Sequence, residues 1–271
     1  MKITHLSDLH AGASAKTVDI HRKFFAKYAE EINSTQVMVL AGDQISHSQH
    51  QLKTLLRTIR EFCPSIQILC VSGNHDFWAN SKNPKWIPTL LDILEEQEEY
   101  FLEFGVHHLQ RMGPVEFKEQ GVKFWGFDGW YHHANPGTND SKWMRSFWQT
   151  EYGGVRPFDY LTKKAYESFD LALSDSADYQ GKKVMVTHMP PMSMAPPDEE
   201  WSFYGTKYNA QETQYLHRGM QSMLDPIAEN FDWCLMGHFH SFYDLTIGRC
   251  RFRTTGCNYD KPVINIVNIG E

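Results

Sequence analysis

The sequence has no apolar run near the roughly 18 residues that a membrane-spanning helix requires, so it offers no candidate span. Its opening, MKITHLSDLHAG, carries one Lys with no long apolar stretch behind it. That does not read as a secretory signal, and it makes a cytoplasmic location the expectation. Cysteine is sparse: Cys63, Cys70, Cys234, Cys250 and Cys257 are odd in number and never fall in CxxC spacing, which predicts reduced, structural thiols. Positive charge is also short. With 26 Lys and Arg against 33 Asp and Glu, the formal net charge is −7, and no Lys/Arg run appears. Such a chain has little general attraction for a polyanion, so nucleic acid enters only as a substrate class. No repeat, low-complexity tract or linker interrupts the sequence, which predicts one domain over residues 1–271.

What is present is a globular composition, 41% apolar and 22% charged over 271 residues, with an excess of histidine and tryptophan. Fourteen histidines exceed what an ordinary soluble domain needs and point towards metal ligands. Short apolar runs alternate with longer amphipathic ones, the pattern of an α/β fold. Strands are expected at 1–6, 36–41, 66–71, 183–187 and 231–236, with period-two strands near 106–111, 114–118 and 121–127. Helices are expected at 16–33, 50–62, 84–100, 157–174 and 209–229. Residues 189–205 read as a Pro/Met-rich loop, and the tail 242–269 alternates like two or three antiparallel strands. Residues 128–156, DGWYHHANPGTNDSKWMRSFWQTEYGGVR, have no clean period and read as an aromatic-rich surface insert.

The unusual polar residues collect at the ends of the expected strands. The first strand runs into Ser7-Asp8-Leu9-His10, the second into Gly42-Asp43 and the third into Gly73-Asn74-His75-Asp76. The 183–187 strand runs into His188, and the 231–236 strand into Gly237-His238-Phe239-His240. In α/β sheets the carboxyl ends of strands line the ligand crevice. Asp8 with His10, and His238 with His240, are one residue apart and would face the same way on extended backbone. Asp, Asn and His together make a mixed oxygen and nitrogen shell that suits Mn, Fe or Zn better than Ca or Mg. The groups outnumber what one tetrahedral ion uses. Two divalent transition-metal ions sharing a bridging carboxylate account for the count, and such a pair suits hydrolysis of a phosphoester by metal-activated hydroxide.

In that order, Asp8-x-His10, Gly42-Asp43, Gly73-Asn74-His75-Asp76, His188 and Gly237-His238-x-His240 resemble the motif set of the calcineurin-like metallophosphoesterases. The tail IGRCRFRTTGCNYDKP also resembles the closing segment of small members of that superfamily. The resemblance implies a four-layer α/β/β/α sandwich, two mixed sheets face to face with helices outside. It implies that Asp8, His10 and His240 hold one metal and Asn74, His188 and His238 the other, with Asp43 bridging. His75 would be the acid or transition-state stabiliser, and Asp76 would orient His75 or close the turn. Mn is the expected metal for an assay.

The Ser/Thr protein phosphatases of that superfamily carry GDxxDRG, whose second Asp supports the catalytic His. Here Ser46 stands at that position with no Arg after it, which speaks against protein phosphatase activity. A small phosphomonoester or phosphodiester is the expected substrate. A nuclease, or a binding scaffold that kept the fold without the chemistry, is the alternative. His5 is expected to be a core residue or to lie just behind the metal ligands rather than to be one, and His21, His107, His108 and His217 ordinary surface or partly buried residues. Candidate substrate contacts are His47, Trp130, His132, His133 and Arg145. The aromatic insert reads either as a satellite core or as a lid whose rings stack on a flat substrate group.

Overall fold

A computed structural model describes residues 1–46, 48–78, 89–129, 157–191, 201–203, 206–208, 220–257, 259 and 261–270. The chain opens with a parallel run: strand β1 (Lys2–Leu6), helix α1 (Thr17–Asn33), β2 (Val37–Ala41), α2 (Gln49–Phe62) and β3 (Gln67–Val71). Helix α3 (Leu90–Glu103) and β4 (Val106–His108) complete the parallel strands of this sheet, whose order is β13-β1-β2-β3-β4. The second sheet has the order β11-β12-β10-β7-β6-β5. After the short helix α4 (Leu109–Met112), its first strands are β5 (Val115–Phe117) and β6 (Val122–Phe127). Helix α5 (Pro157–Ala177) and β7 (Lys182–Thr187) follow, then α6 (Leu224–Asn230), β10 (Trp233–Met236), β11 (Asp244–Ile247) and β12 (Cys250–Arg253). The last strand, β13 (Asn265–Asn268), returns to the first sheet antiparallel to β1, pairing Lys2 with Asn268. Both sheets are mixed, since β5 and β11 also pair antiparallel with their neighbours.

Strand alternation divides the core into three apolar layers. In β2, Val37, Val39 and Ala41 face the other sheet and meet Phe124, Val184, Val186 and Leu235 there. Met38 and Leu40 face the opposite way, onto Phe25 and Ile32 of α1 and Leu52, Leu56 and Ile59 of α2. In the second sheet Met185, Cys234, Met236 and Phe252 pack outward against Leu161, Phe169 and Ile227 of α5 and α6. Helices therefore cover both outer faces, the four-layer sandwich expected from the sequence. Strands buried on both faces read as continuous apolar runs, which is why β2, β3 and β7 are plain in the sequence. All five cysteines are buried and none forms a disulfide.

Several boundaries differ from expectation. Of the helix expected at 84–100, residues 84–88 lie outside the described residues, and α3 begins at Leu90, where Thr89 takes extended backbone and closes a capping box with Asp92. In place of one strand over 106–111, β4 stops at His108 and the chain turns into α4. The segment read as loop contains strand β8 (Trp201–Phe203), which pairs with β9 (Thr206–Tyr208). Of the helix expected at 209–229, residues 209–219 lie outside the described residues, Gln221–Met223 form a single 3-10 turn, and only α6 is α-helical. The aromatic insert likewise lies outside them, except for Asp128 and Gly129, and α5 begins directly after it at Pro157. Asp128 is no surface residue: it is buried and accepts the Ser72 backbone N–H at 2.8 Å.

Candidate metal centre

β1, β2, β3, β7 and β10 all end at one edge, and the segments that follow them carry the polar set. The Asp8 backbone N–H donates to the Gly42 carbonyl at 3.0 Å and that of His10 to the Asp43 carbonyl at 2.9 Å, so the loops after β1 and β2 are zipped together. Asp8, His10, Asp43 and His238 have φ of 52°, 47°, 52° and 68°. This left-handed region costs an L-residue roughly 1–2 kcal/mol. The extended backbone expected across Asp8 to His10 and across His238 to His240 is therefore absent. A left-handed residue turns the chain back on itself, and the side chains converge by that route.

Among the described residues three groups of donor atoms form, each with its atoms within 4.8 Å of one another: Asp8, His10 and His240; His10, Asp43 and His75; and Asp43, His188 and His238. Asp43 joins the second and third groups. Its Oδ2 lies 3.7 Å from His10 Nε2 and 3.4 Å from His188 Nε2. His10 and His240 point their Nε2 atoms at each other at 3.2 Å, and Asp8 Oδ1 is 3.7 Å from His240 Nε2. Asn74 Oδ1 lies 3.2 Å from His188 Nε2, which adds the amide to the third group. His188 Nδ1 donates to the Ala41 carbonyl at 2.9 Å, so its proton sits on the outer nitrogen and Nε2 is left to face the group. Imidazole nitrogens and carboxylate oxygens aimed at common points fit a metal ion, and these residues could hold one or more.

Glycines make the approach possible. A Cβ on Gly42 (φ +83°) would fall 2.4 Å from His188 Nδ1, and one on Gly73 would fall 2.2 Å from Asp43 Oδ1. Electrostatics follow from burial. Asp8, His10, Asp43 and His188 are essentially inaccessible to solvent. Burial pushes the Asp8 carboxyl up to about 6, against the pull of His188 and His240. For Asp43 burial acts the same way, but His188 and His75 outweigh it and hold the carboxyl well below its usual range. Burial also lowers His10, whereas the Asp43 charge overcomes burial at His188 and raises it to about 10. Buried charges on this scale are costly unless matched by opposite charge, which divalent cations would supply.

His75 begins a 3-10 turn, and its Nδ1 faces the Ser46 carbonyl at 3.3 Å. Its Nε2 lies 4.0 Å from Asp43 Oδ2. Asp76 accepts the backbone N–H groups of Ile45 (3.0 Å) and Gly73 (2.8 Å), so its carboxylate closes the turn. His5 is fully buried in β1, a core histidine, and burial lowers it to about 3. His21 and His108, expected on the surface or partly buried, are fully buried, and His108 Nε2 sits 3.2 Å from the Asp128 carboxylate. His47, Trp130, His132, His133, Arg145 and His217 lie outside the described residues.

Two aromatic neighbours escaped the sequence reading: Trp78 stacks on His75 and Tyr259 on His10. Trp78 follows the Gly73–Asp76 motif directly, so its place was open to notice. Tyr259 is far away in the chain and nothing in the spacing marks it.

A fold of facing mixed sheets with His, Asp and Asn gathered at one strand edge defines a metal-dependent hydrolase of phosphoesters. The chain belongs to the calcineurin-like phosphoesterase family, whose sequence profile matches residues 1–242. It is thus an enzyme of the metallophosphoesterase kind. No curated protein matches its sequence at a significant level. Among solved structures it is similar to the phosphopantetheinyl hydrolase of Mycobacterium tuberculosis, with a TM-score of 0.66 at 16% identity, covering 96% of this chain and 90% of that one. A Thermus thermophilus protein gives 0.55 at 13% identity, covering 99% and 98%. The anchor of the inner membrane complex of Plasmodium gives 0.52 at 12% identity, covering 98% and 80%. At such identities the likeness is one of fold, and an anchor on this fold leaves the argument for chemistry to the site.

Proposed function

We propose that the protein hydrolyses a small phosphomonoester or phosphodiester using two divalent transition-metal ions. Asp8, His10 and His240 would hold one ion, and Asn74, His188 and His238 the other, with Asp43 shared between them. The observation that carries this reading is the place of Asp43 Oδ2, within 4 Å of both His10 and His188. A single carboxylate oxygen facing two imidazoles from different strands is what a bridging ligand requires. When bound, the pair supplies Lewis acidity and a nucleophile available at neutral pH.

The chain's own residues do the rest. Asp8 accepts the His238 backbone N–H at 2.9 Å, and Ser7 donates to the same carboxylate, which fixes its orientation. With its Nδ1–H on the Ser46 carbonyl, His75 keeps Nε2 towards the centre and delivers a proton from that atom to the leaving oxygen. The support for His75 is thus a peptide carbonyl at the position where the protein phosphatases carry an Asp, which favours small substrates over phosphoproteins.

The test is initial rates with a chromogenic phosphomonoester and its bis-ester on the Mn-loaded protein, with Asp43→Asn alongside. Turnover of either ester, absent in Asp43→Asn together with most of the bound metal, supports the reading, and the ratio of rates chooses monoester or diester. Full metal content in Asp43→Asn would remove the bridging role. A fully loaded wild type inert to both esters would overturn the substrate class.

A further inference from the structure

Four aromatic rings make a continuous line of ring contacts across the centre. The Trp78 indole lies on the His75 imidazole with centroids 3.5 Å apart and planes 28° apart. His75 meets His10 edge to face at 4.5 Å and 75°. Beyond His10, Tyr259 lies nearly parallel to it at 4.3 Å and 17°, and meets His240 edge to face at 4.9 Å. Each outer ring is placed by backbone. The Trp78 N–H donates to the His75 carbonyl at 3.0 Å, closing the 3-10 turn that folds the indole over its neighbour. Tyr259 sits in a loop tied at buried Cys257, whose Sγ accepts the Val263 backbone N–H at 3.4 Å.

We infer that Trp78 and Tyr259 are positioning residues: an aromatic bracket in which Trp78 sets the plane of His75 and Tyr259 the plane of His10. The inference rests on the function proposed above and assigns two residues it does not use. The torsion that sets an imidazole plane is broad and roughly two-fold, so backbone alone does not hold it. The 3.3 Å contact from His75 Nδ1 to the Ser46 carbonyl gives the ring a direction, about which rotation is still possible. A stacked indole removes that freedom, since offset stacking has a preferred plane. The same holds for His10, whose Nδ1 is buried without a hydrogen-bond partner. Catalytic groups lose much of their effect when displaced by about 1 Å, so a plane-setting neighbour acts on turnover through His75 and on metal affinity through His10.

The experiment uses the Zn-loaded, diamagnetic protein. For Trp78→Leu the inference expects the His75 imidazole carbon-bound proton signal to move downfield as the indole ring current is lost. kcat should fall about tenfold or more, with KM and metal content near wild type. Trp78→Phe should restore most of both the shift and kcat. Tyr259→Leu should weaken metal binding about tenfold, the usual effect of losing a ligand's supporting neighbour, and Tyr259→Phe should restore it. Should Trp78→Leu fail to fold, Trp78→Met removes the ring with an unbranched side chain that adapts to the space left and gives the same comparison. An unmoved His75 signal with wild-type kcat would overturn the inference, as would equal losses in the Phe and Leu variants, which indicate packing alone. If no ester is turned over by the wild type but the His75 signal moves as expected, the bracket stands and the substrate reading fails.

Discussion

Asp8, His10, Asp43 and His238 share a conformation that, among the described residues, is otherwise taken by glycine, with φ from 47° to 68°. Strained backbone at roughly 1–3 kcal/mol per residue persists where the surroundings over-determine it, and here all four residues face one centre. The structure thus gives up stability in order to converge these side chains. His75 differs from them in kind, since its ring is placed by the Ser46 carbonyl and its Nε2 stays 4.0 Å from Asp43. His75→Ala is therefore expected to retain both metals while kcat falls about 10² to 10⁴-fold. Metal analysis and initial rates on the same preparation check this, and near-wild-type kcat would take His75 out of the chemistry. At this scale the candidate ligands were legible because Asp, Asn and His at strand ends have few other uses. Trp78 and Tyr259 were not, because an aromatic residue declares a role only through what it touches, and Tyr259 touches residues far from it in the chain.

Among elements, strands buried on both faces were legible and irregular joins were not. β2 and β3 are uniform apolar runs because one face meets the other sheet and the next meets α1 and α2. The start of α3 is set by the capping box at Thr89 and Asp92, a local hydrogen-bond exchange that apolar spacing does not report. The crossing of β13 into the first sheet was invisible, since alternation states that a strand exists and not which strand it joins. Glycine at the turn after β2 has a geometric reason: at φ +83°, a Cβ there meets the His188 ring at 2.4 Å and its neighbours at 2.5 and 2.6 Å. Gly42→Ala must move the His188 ring off the Ala41 carbonyl. The variant is expected to lose about 2 kcal/mol or more of stability, through strain and overpacking together, and to bind metal more weakly. Denaturant unfolding of the metal-free protein isolates the first effect and metal titration the second. Wild-type values in both would show that the turn relaxes without disturbing His188.

At the scale of the whole molecule, the sheets separate two duties by end. Their carboxyl edge holds the buried charges of the metal centre, and the amino end of the second sheet is tied by Asp232. That carboxylate accepts the Lys183 N–H at 2.9 Å, the Arg249 guanidinium at 3.0 Å and the Lys182 ammonium at 3.2 Å, which joins the starts of β7 and β10 to the β11–β12 turn. Partial burial opposes its charge, but the Lys183 N–H and the two cations outweigh it and leave the carboxyl below its ordinary range. A carboxyl depressed on folding contributes stability above its unfolded pKa of about 3.9, and that contribution is lost as pH falls through the lower folded value. Lys182 and Arg249 are half exposed, so solvent screens their share and about 1 kcal/mol is the expected total. Asp232→Asn should accordingly lower Tm by about 2–4 °C at pH 7, with the gap constant down to about pH 5 and closing below about pH 4. Metal content and kcat at pH 7 should stay at wild-type values, because Asp232 lies at the end of the sheet opposite the centre. A gap that persists at pH 3 would show that shape rather than charge makes the tie, and a loss of metal would show that the two ends are coupled through β7 and β10.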